Sequence, residues 1–320
     1  MEAQIGTDIL LSEELLRKGK LVAIPTETVY GLAANALDIN AVSDIFKTKN
    51  RPNFDPLIIH VASFEEINKY AEDISEDIWK LAEKFSPGPI TFLLKKKDII
   101  PDLVTSGLER VAIRIPDHKL TLKLLSKLDF PLAAPSANPF GYVSPTNAEH
   151  VYNQLGQKIP YILDGGQCEV GLESTIIGYA DGELTVFRKG GLALETLEDF
   201  LGKKIKINDH SSSNPAAPGM LLKHYSPNKR IQIWEPDKVL IDPNKKIGFL
   251  GFKNENPEIS SENQYILSKK GNLAEAANRL FSGLRWFDQQ DVDIVYIELV
   301  LEEGLGMAIN DRLKRAAAKS

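Results

Sequence analysis

Short apolar runs recur along the first part of the chain, separated by stretches with helical spacing. Segments 21–25 (LVAIP), 57–62 (LIIHVA), 90–95 (ITFLLK), 111–116 (VAIRIP), 131–135 (PLAAP) and 161–166 (YILDGG) read as buried strands. Apolar positions three and four apart predict helices over 40–49, 65–71, 76–85 and 119–128. Two helix starts carry capping-box patterns, Ser63 with Glu66 and Thr146 with Glu149. Segment 173–190 alternates on both sides of Ala180-Asp181-Gly182, which predicts a hairpin. Together these elements predict an α/β domain built on a mixed sheet.

The pattern breaks near Asn208. NDHSSSNPAAPGM is polar, rich in Ser, Pro and Ala, and without period, the grammar of a linker. Beyond it, 231–234, 246–252, 264–267 and 292–299 read as strands and 272–290 and 305–319 as helices, a second and smaller α/β unit. The expected division is residues 1–207, a linker over 208–228, and 229–320. Within the linker, Pro218-Gly219-Met220 and Lys223-His224-Tyr225-Ser226-Pro227 suit either a solvated connector or a segment that docks on a neighbouring surface.

Composition narrows the class. A chain of 320 residues exceeds the roughly 100–200 of one ordinary domain. With 43% hydrophobic and 26% charged residues it is globular rather than fibrous or disordered. No apolar run approaches the roughly 18–20 residues of a membrane span. The N-terminus carries acids where a signal peptide has a basic start, so a cytoplasmic protein is expected. A single cysteine, Cys168, excludes an internal disulfide, and with five histidines it builds no metal cluster without carboxylates. The net charge is −6, and residues 1–207 hold all of the excess, 23 basic against 29 acidic. A nucleic-acid binder carries a basic footprint, so direct RNA binding is disfavoured.

Neither a phosphate-binding G-x-x-x-x-G-K-[ST] loop nor a dinucleotide G-x-G-x-x-G follows the first strand. Instead Pro25-Thr26-Glu27-Thr28-Val29-Tyr30 puts hydroxyls around a carboxylate at a strand's end, where open α/β sheets bind ligands. A plain strand-to-helix loop is the competing account. Lys47, Lys49 and Arg51 complement a helix dipole or grip a phosphate. By pattern alone His60 is a core histidine. Arg114, inside an apolar strand, must meet an anion, either a structural carboxylate or a ligand. Ser136 and Asn138, Ser144, Ser174 and Arg188 mark further strand ends. This set, with no Cys or His nucleophile, suits an anionic substrate handled by positioning and charge neutralisation, as in phosphoryl or nucleotidyl transfer.

In order along the chain, PTETVYGL, KTKNRP…PLIIH, FSPGPITFLL, VAIRIP, APSANPFGYVSPT, ILDGG, ESTII and VFRKG resemble the YrdC/Sua5 family of threonylcarbamoyl-AMP synthases from Gly19 to Gly191. APGMLLKHYSP and the following domain resemble the longer Sua5-type members. The resemblance implies a twisted mixed-sheet YrdC-like domain followed by a smaller Rossmann-like α/β domain. It implies a nucleotidyltransferase that joins L-threonine, bicarbonate and ATP into threonylcarbamoyl-AMP and pyrophosphate, with Mg2+ assisting and no protein metal ligands. A separate complex would then carry the threonylcarbamoyl group to tRNA, with at most weak tRNA binding by this chain. The signature residues would be Lys49, Arg51, Ser136 and Asn138. Threonine positions fall on Thr28, His60, Arg114, Ser136 and Ser174, and ATP positions on Arg51, Asp55, Asn138, Ser144, Arg188 and Tyr225. Asp55 departs from relatives that carry Asn or Lys, which leaves open whether it faces ribose, Mg2+ or neither. Tyr225, with His224, would close over the nucleotide. The alternatives are an RNA-binding module without synthase activity, another carbamoyl-adenylate enzyme, and a structural protein. A tRNA salt titration separates the first, and the missing zinc-finger cysteines argue against the second.

Overall fold

A computed structural model describes residues 2–208, 217–218, 225–236, 242 and 244–318. The linker residues Gly219, Met220, Lys223 and His224 lie outside this set. The first unit contains strands β1 (Gln4–Gly6), β2 (Val22–Ile24), β3 (Gly31–Asn35), β4 (Ile58–His60), β5 (Ala71–Glu72), β6 (Ile90–Lys96), β7 (Arg110–Arg114), β8 (Leu132–Ala133), β9 (Tyr161–Leu163), β10 (Thr175–Ala180), β11 (Glu183–Arg188) and β12 (Lys206–Ile207). They form one sheet in the order β1-β9-β2-β3-β8-β4-β7-β6-β10-β11-β12, with β5 beside β6. Parallel pairs such as β4 with β7 alternate with antiparallel ones such as β6 with β7, so the sheet is mixed, as the pattern predicts. The hairpin of β10 and β11 turns at Asp181 and Gly182, both at positive φ (52° and 78°). A two-residue turn that matches strand twist requires that backbone, which Gly supplies without strain and Asp tolerates.

Helices α1 (Ile9–Arg17), α2 (Ile39–Lys49), α3 (Ile67–Tyr70), α4 (Glu76–Phe85), α5 (Asp102–Thr105), α6 (Lys119–Leu125), α7 (Ala148–Leu155) and α8 (Leu194–Leu201) accompany the sheet. α4 shows how sequence sets them. Ser75 accepts a hydrogen bond from the Ile78 amide, Glu76 and Asp77 face the positive end, and Ile78, Leu81 and Ala82 turn inward.

Local expectations needed correction at three places. Residues 25–30 do not lead into a helix. They join β2 to β3, which folds back antiparallel with Ile24 opposite Gly31. The small residues Gly31, Ala33 and Ala34 pack as a buried strand that a search for bulky runs overlooks. Ser63 caps nothing; Glu66 instead accepts from the Ala62 amide at 2.9 Å before the one-turn α3. At α7 the cap is Asn147, which accepts from the His150 amide at 2.8 Å, while Thr146 faces His150 and Ser282.

The second unit is a four-stranded, all-parallel sheet of β13 (Arg230–Ile233), β14 (Ile247–Gly251), β15 (Gln264–Ile266) and β16 (Ile294–Ile297), in the order β13-β16-β14-β15. Helices α9 (Leu273–Phe287) and α10 (Gly306–Ala317) touch each other and the sheet. Their core is continuous with the first unit: Val29, Val143 and Leu172 pack in one cluster with Leu280, Phe281 and Leu284. Polar contacts reinforce the seam. The Asn278 amide donates to the carbonyls of Cys168 and Glu169 at 2.7 and 2.9 Å, and Arg285 donates to the Ser144 carbonyl at 3.2 Å. Among the described residues no helix is long and apolar enough to cross a membrane.

Candidate active site

A partly open cavity lies across the first sheet, over β4 and β7. Ile58 and His60, two residues apart and therefore on one face of β4, both line it. In the parallel register His60 stands beside Arg114 of β7, so adjacent strands deliver an imidazole and a guanidinium side by side. Burial, and then Arg114, hold the His60 imidazole down at about 3, a neutral ring whose Nδ1 lacks a hydrogen-bond partner. Arg114 donates to the Gly88 carbonyl at 3.2 Å, and its Nη2 stands 2.6 Å from Glu27 Oε1 without hydrogen-bond alignment. The buried arginine thus has a structural carboxylate behind it and still contributes to the cavity wall.

The loop between β2 and β3 is held by its own hydroxyls. Thr26 Oγ1 accepts from the Thr28 and Val29 amides and donates to the Val29 carbonyl at 2.6 Å. This self-contained turn presents Thr28 to the cavity, with its Oγ1 2.8 Å from that of Thr26, and Glu27 to Arg114.

α2 ends in a Schellman motif: Asn50 is left-handed (φ 53°), its amide meets the Lys47 carbonyl, and the Arg51 amide meets that of Phe46 at 2.9 Å. The reversal sends two cations apart. Lys49 is buried and donates to the carbonyls of Ser136 and Asn138; burial, then Arg51, hold its amine well below its usual range. Arg51 lines the cavity, donates to the Asp55 and Pro56 carbonyls, and lies 2.9 Å from the Asp55 carboxylate.

The opposite wall comes from the hairpin. Arg188, opposite Ile176 next to a register irregularity, donates to the Ser174 carbonyl at 2.9 Å, the Ser174 hydroxyl at 3.1 Å and the Pro218 carbonyl at 3.3 Å. Burial lowers its guanidinium to about 10, still charged at neutral pH. Ser174 also shares a 2.6 Å hydrogen bond with Thr91. Pro218 and Tyr225, from the segment between the units, line the same cavity. Tyr225 is left-handed (φ 66°) and stacks on Phe281 with ring centroids 5.6 Å apart; burial pushes its phenol up to about 12.

Every residue named for threonine, Thr28, His60, Arg114, Ser136 and Ser174, lines this one cavity. Of those named for ATP, Arg51, Arg188 and Tyr225 line it, whereas Asp55, Asn138 and Ser144 are buried behind the wall. Asn138 donates to the Pro139 and Tyr142 carbonyls, and Ser144 donates to Glu173 Oε1 at 2.5 Å. Asp55 faces Arg51. The sequence marks Glu27 as a carboxylate between hydroxyls but not as the partner of Arg114, and nothing in the pattern marks Glu173 as the partner of Ser144. Among the described residues no group of three His, Cys, Asp or Glu side chains can cage a metal. A Mg2+ ion carried by a triphosphate needs no such cage.

Fold and cavity together define a class: an α/β protein whose cavity is lined by buried guanidiniums and hydroxyls, with no phosphate-binding glycine loop in its sequence. The family model Sua5_yciO_yrdC, described as "Telomere recombination", matches residues 14–190, and the model of the threonylcarbamoyl-AMP synthase C-terminal domain matches residues 192–318. The chain belongs to the Sua5/YrdC family. It is 41% identical to the threonylcarbamoyl-AMP synthase of Pyrococcus abyssi, covering 97% of this chain and 94% of that relative. The Bacillus subtilis threonylcarbamoyl-AMP synthase is 38% identical over 95% of this chain and 91% of its own. The crystal structure of P. abyssi Sua5 complexed with L-threonine superposes with a TM-score of 0.90 at 41% identity, covering 97% and 94% of the two chains.

Proposed function

We propose that the cavity holds L-threonine and ATP side by side, and that its two walls divide the work. As a member of its family the chain is a threonylcarbamoyl-AMP synthase, an enzyme that uses ATP as a substrate. One observation carries the reading: three buried guanidiniums from distant segments, Arg51, Arg114 and Arg188, line a single cavity with Thr28, Ser136 and Ser174.

Arg114, held by Glu27, pairs with the threonine carboxylate. Thr28, neutral His60 and Ser174 receive its hydroxyl and amine. The amine loses a proton as it takes up CO2, and the carbamate oxygen attacks the α-phosphorus in line. The new O–P bond replaces the bond to the β-phosphate, and pyrophosphate leaves with its electron pair. Arg51 and Arg188 neutralise the charge that develops on the departing group. Lys49 and Asn138 act from behind, Lys49 by fixing the carbonyls that shape the Ser136 turn. Asp55 orients Arg51, and Ser144 orients Glu173. No protein nucleophile is needed, because the substrate carbamate is the nucleophile and proximity lowers the barrier.

The same reading makes residues 208–228 a linker that covers the site, with Tyr225 as its inner face, and 229–320 the domain that anchors it. Mg2+ enters with the triphosphate, the reaction runs in the cytoplasm, and a separate complex transfers the product to tRNA. Incubation with ATP, labelled bicarbonate and L-threonine should yield labelled threonylcarbamoyl-AMP and pyrophosphate. Pyrophosphate release that persists without threonine overturns the reading.

A further inference from the structure

Helix α10 belongs to the second unit, yet one of its side chains reaches into the wall of the cavity. Arg312 is wholly buried, a costly place for a guanidinium unless its donors are used. Its Nε donates to Glu173 Oε2 at 2.9 Å, its Nη2 to the Lys189 carbonyl at 2.9 Å, and its Nη1 to Asp311. The guanidinium carbon lies 4.9 Å from the centre of the Tyr225 ring, a cation–π geometry. Burial works against the charge; Tyr225, Glu173 and Asp311 outweigh it, so the group stays above its ordinary range.

Each contact leads to the same side of the cavity. Glu173 holds the Ser144 hydroxyl with its other oxygen. Lys189 follows Arg188 in the chain, and Tyr225 is a wall residue. None of these contacts is to Thr28, His60 or Arg114, and of the threonine positions only Ser174, which Arg188 holds, adjoins the network. We infer that Arg312 is a positioning residue for the nucleotide half of the site, by which the second domain sets the places of Glu173, Arg188 and Tyr225. This rests on the division of the cavity proposed above.

The test measures equilibrium affinity for a non-hydrolysable ATP analogue and, separately, for L-threonine, in full-length wild type, Arg312→Gln and Arg312→Lys. Lys314→Ala, an exposed neighbour paired with Glu302, is the control. Arg312 acts through the groups it holds, and a displaced Arg188 that loses one charge-assisted hydrogen bond to the nucleotide weakens binding about tenfold or more. Both Arg312 variants should therefore lose at least about tenfold for the analogue and stay within about twofold for threonine, with Lys314→Ala unchanged. Glu173→Gln should weaken the analogue too, and the double variant Glu173→Gln/Arg312→Gln should lose no more than the larger of the two single losses, because the two act as a unit. Should Arg312→Gln not fold, the lysine variant and the Glu173→Gln arm still decide.

Unchanged nucleotide affinity with a lowered melting temperature, or a parallel loss of threonine affinity, overturns the assignment. A wild-type chain that binds no nucleotide overturns it outright. Wild type that binds both ligands but forms no threonylcarbamoyl-AMP sinks the reaction reading alone, since the affinity ratio still reports on Arg312.

Discussion

His60 sits with its ring inside the cavity wall, and both burial and the adjacent Arg114 oppose a proton on it. An unfolded histidine titrates near 6.5, whereas the folded ring stays neutral down to about 3. Between those values the unfolded chain binds the proton and the folded chain does not. Stability therefore is fully present above about pH 6.5 and is lost as pH falls through the window, by about 1.4 kcal/mol per pH unit for one such group. His150, held down at about 4 by burial and Arg285, adds to the slope over the upper part of the same window. Denaturant unfolding of wild type and His60→Gln at pH 7, 5.5 and 4.5 checks this; the variant should show a flatter slope. Arg114 gives a second prediction at this scale. Arg114→Ala leaves Glu27 buried without its cation, and threonine affinity should fall by about a hundredfold while nucleotide affinity changes little. Calorimetric titration of each ligand alone reads the difference, and equal losses would refute the assigned partner.

Elements set how closely these groups approach. Beyond β11 the chain passes Gly190, where a Cβ would lie 2.4 Å from the Glu173 carbonyl oxygen. Glycine there lets the chain leaving Arg188 press against the Glu173–Thr175 backbone that enters β10. Gly190→Ala should cost about 1–3 kcal/mol in unfolding free energy and lower turnover as well, because the backbone that must yield bears site residues. At α7 the cap is remote from the cavity. Asn147→Ala should cost about 1 kcal/mol of stability and leave substrate affinities unchanged. Chemical denaturation with ligand titration separates the two outcomes.

The whole molecule is where the site is completed. Val29, Val143 and Leu172 share a core cluster with the second unit, and from beyond residue 208 Tyr225 lines the cavity while Arg312 holds the wall residue Glu173. A chain ending at Asn208 should expose that apolar seam, self-associate on gel filtration, and lose threonylcarbamoyl-AMP synthesis. Unchanged turnover in a monodisperse truncation would remove any role for Tyr225 and for Arg312.

Much of this was readable in the chain itself. The buried runs around His60 and Arg114, the hairpin at Asp181-Gly182 and the helices α2, α4, α6, α9 and α10 are local signals, because burial periodicity and turn chemistry are properties of neighbouring residues, whereas α1 and α8 were not predicted. The sequence also restricts Arg114 to two options, a structural carboxylate or an anionic ligand, since a buried guanidinium requires one. Only the tertiary structure gives it Glu27 and a cavity face together, through the β4–β7 register and a turn held by Thr26. β3 carries no run of bulky residues, and its alanines and glycine are buried between β2, next to it in the chain, and the distant β8. Arg312 lies 139 residues from Glu173, and no periodicity carries information across that span. Which polar residues share a wall depends on strand order and on how two units pack, and pairing over such distances is settled by the folded whole.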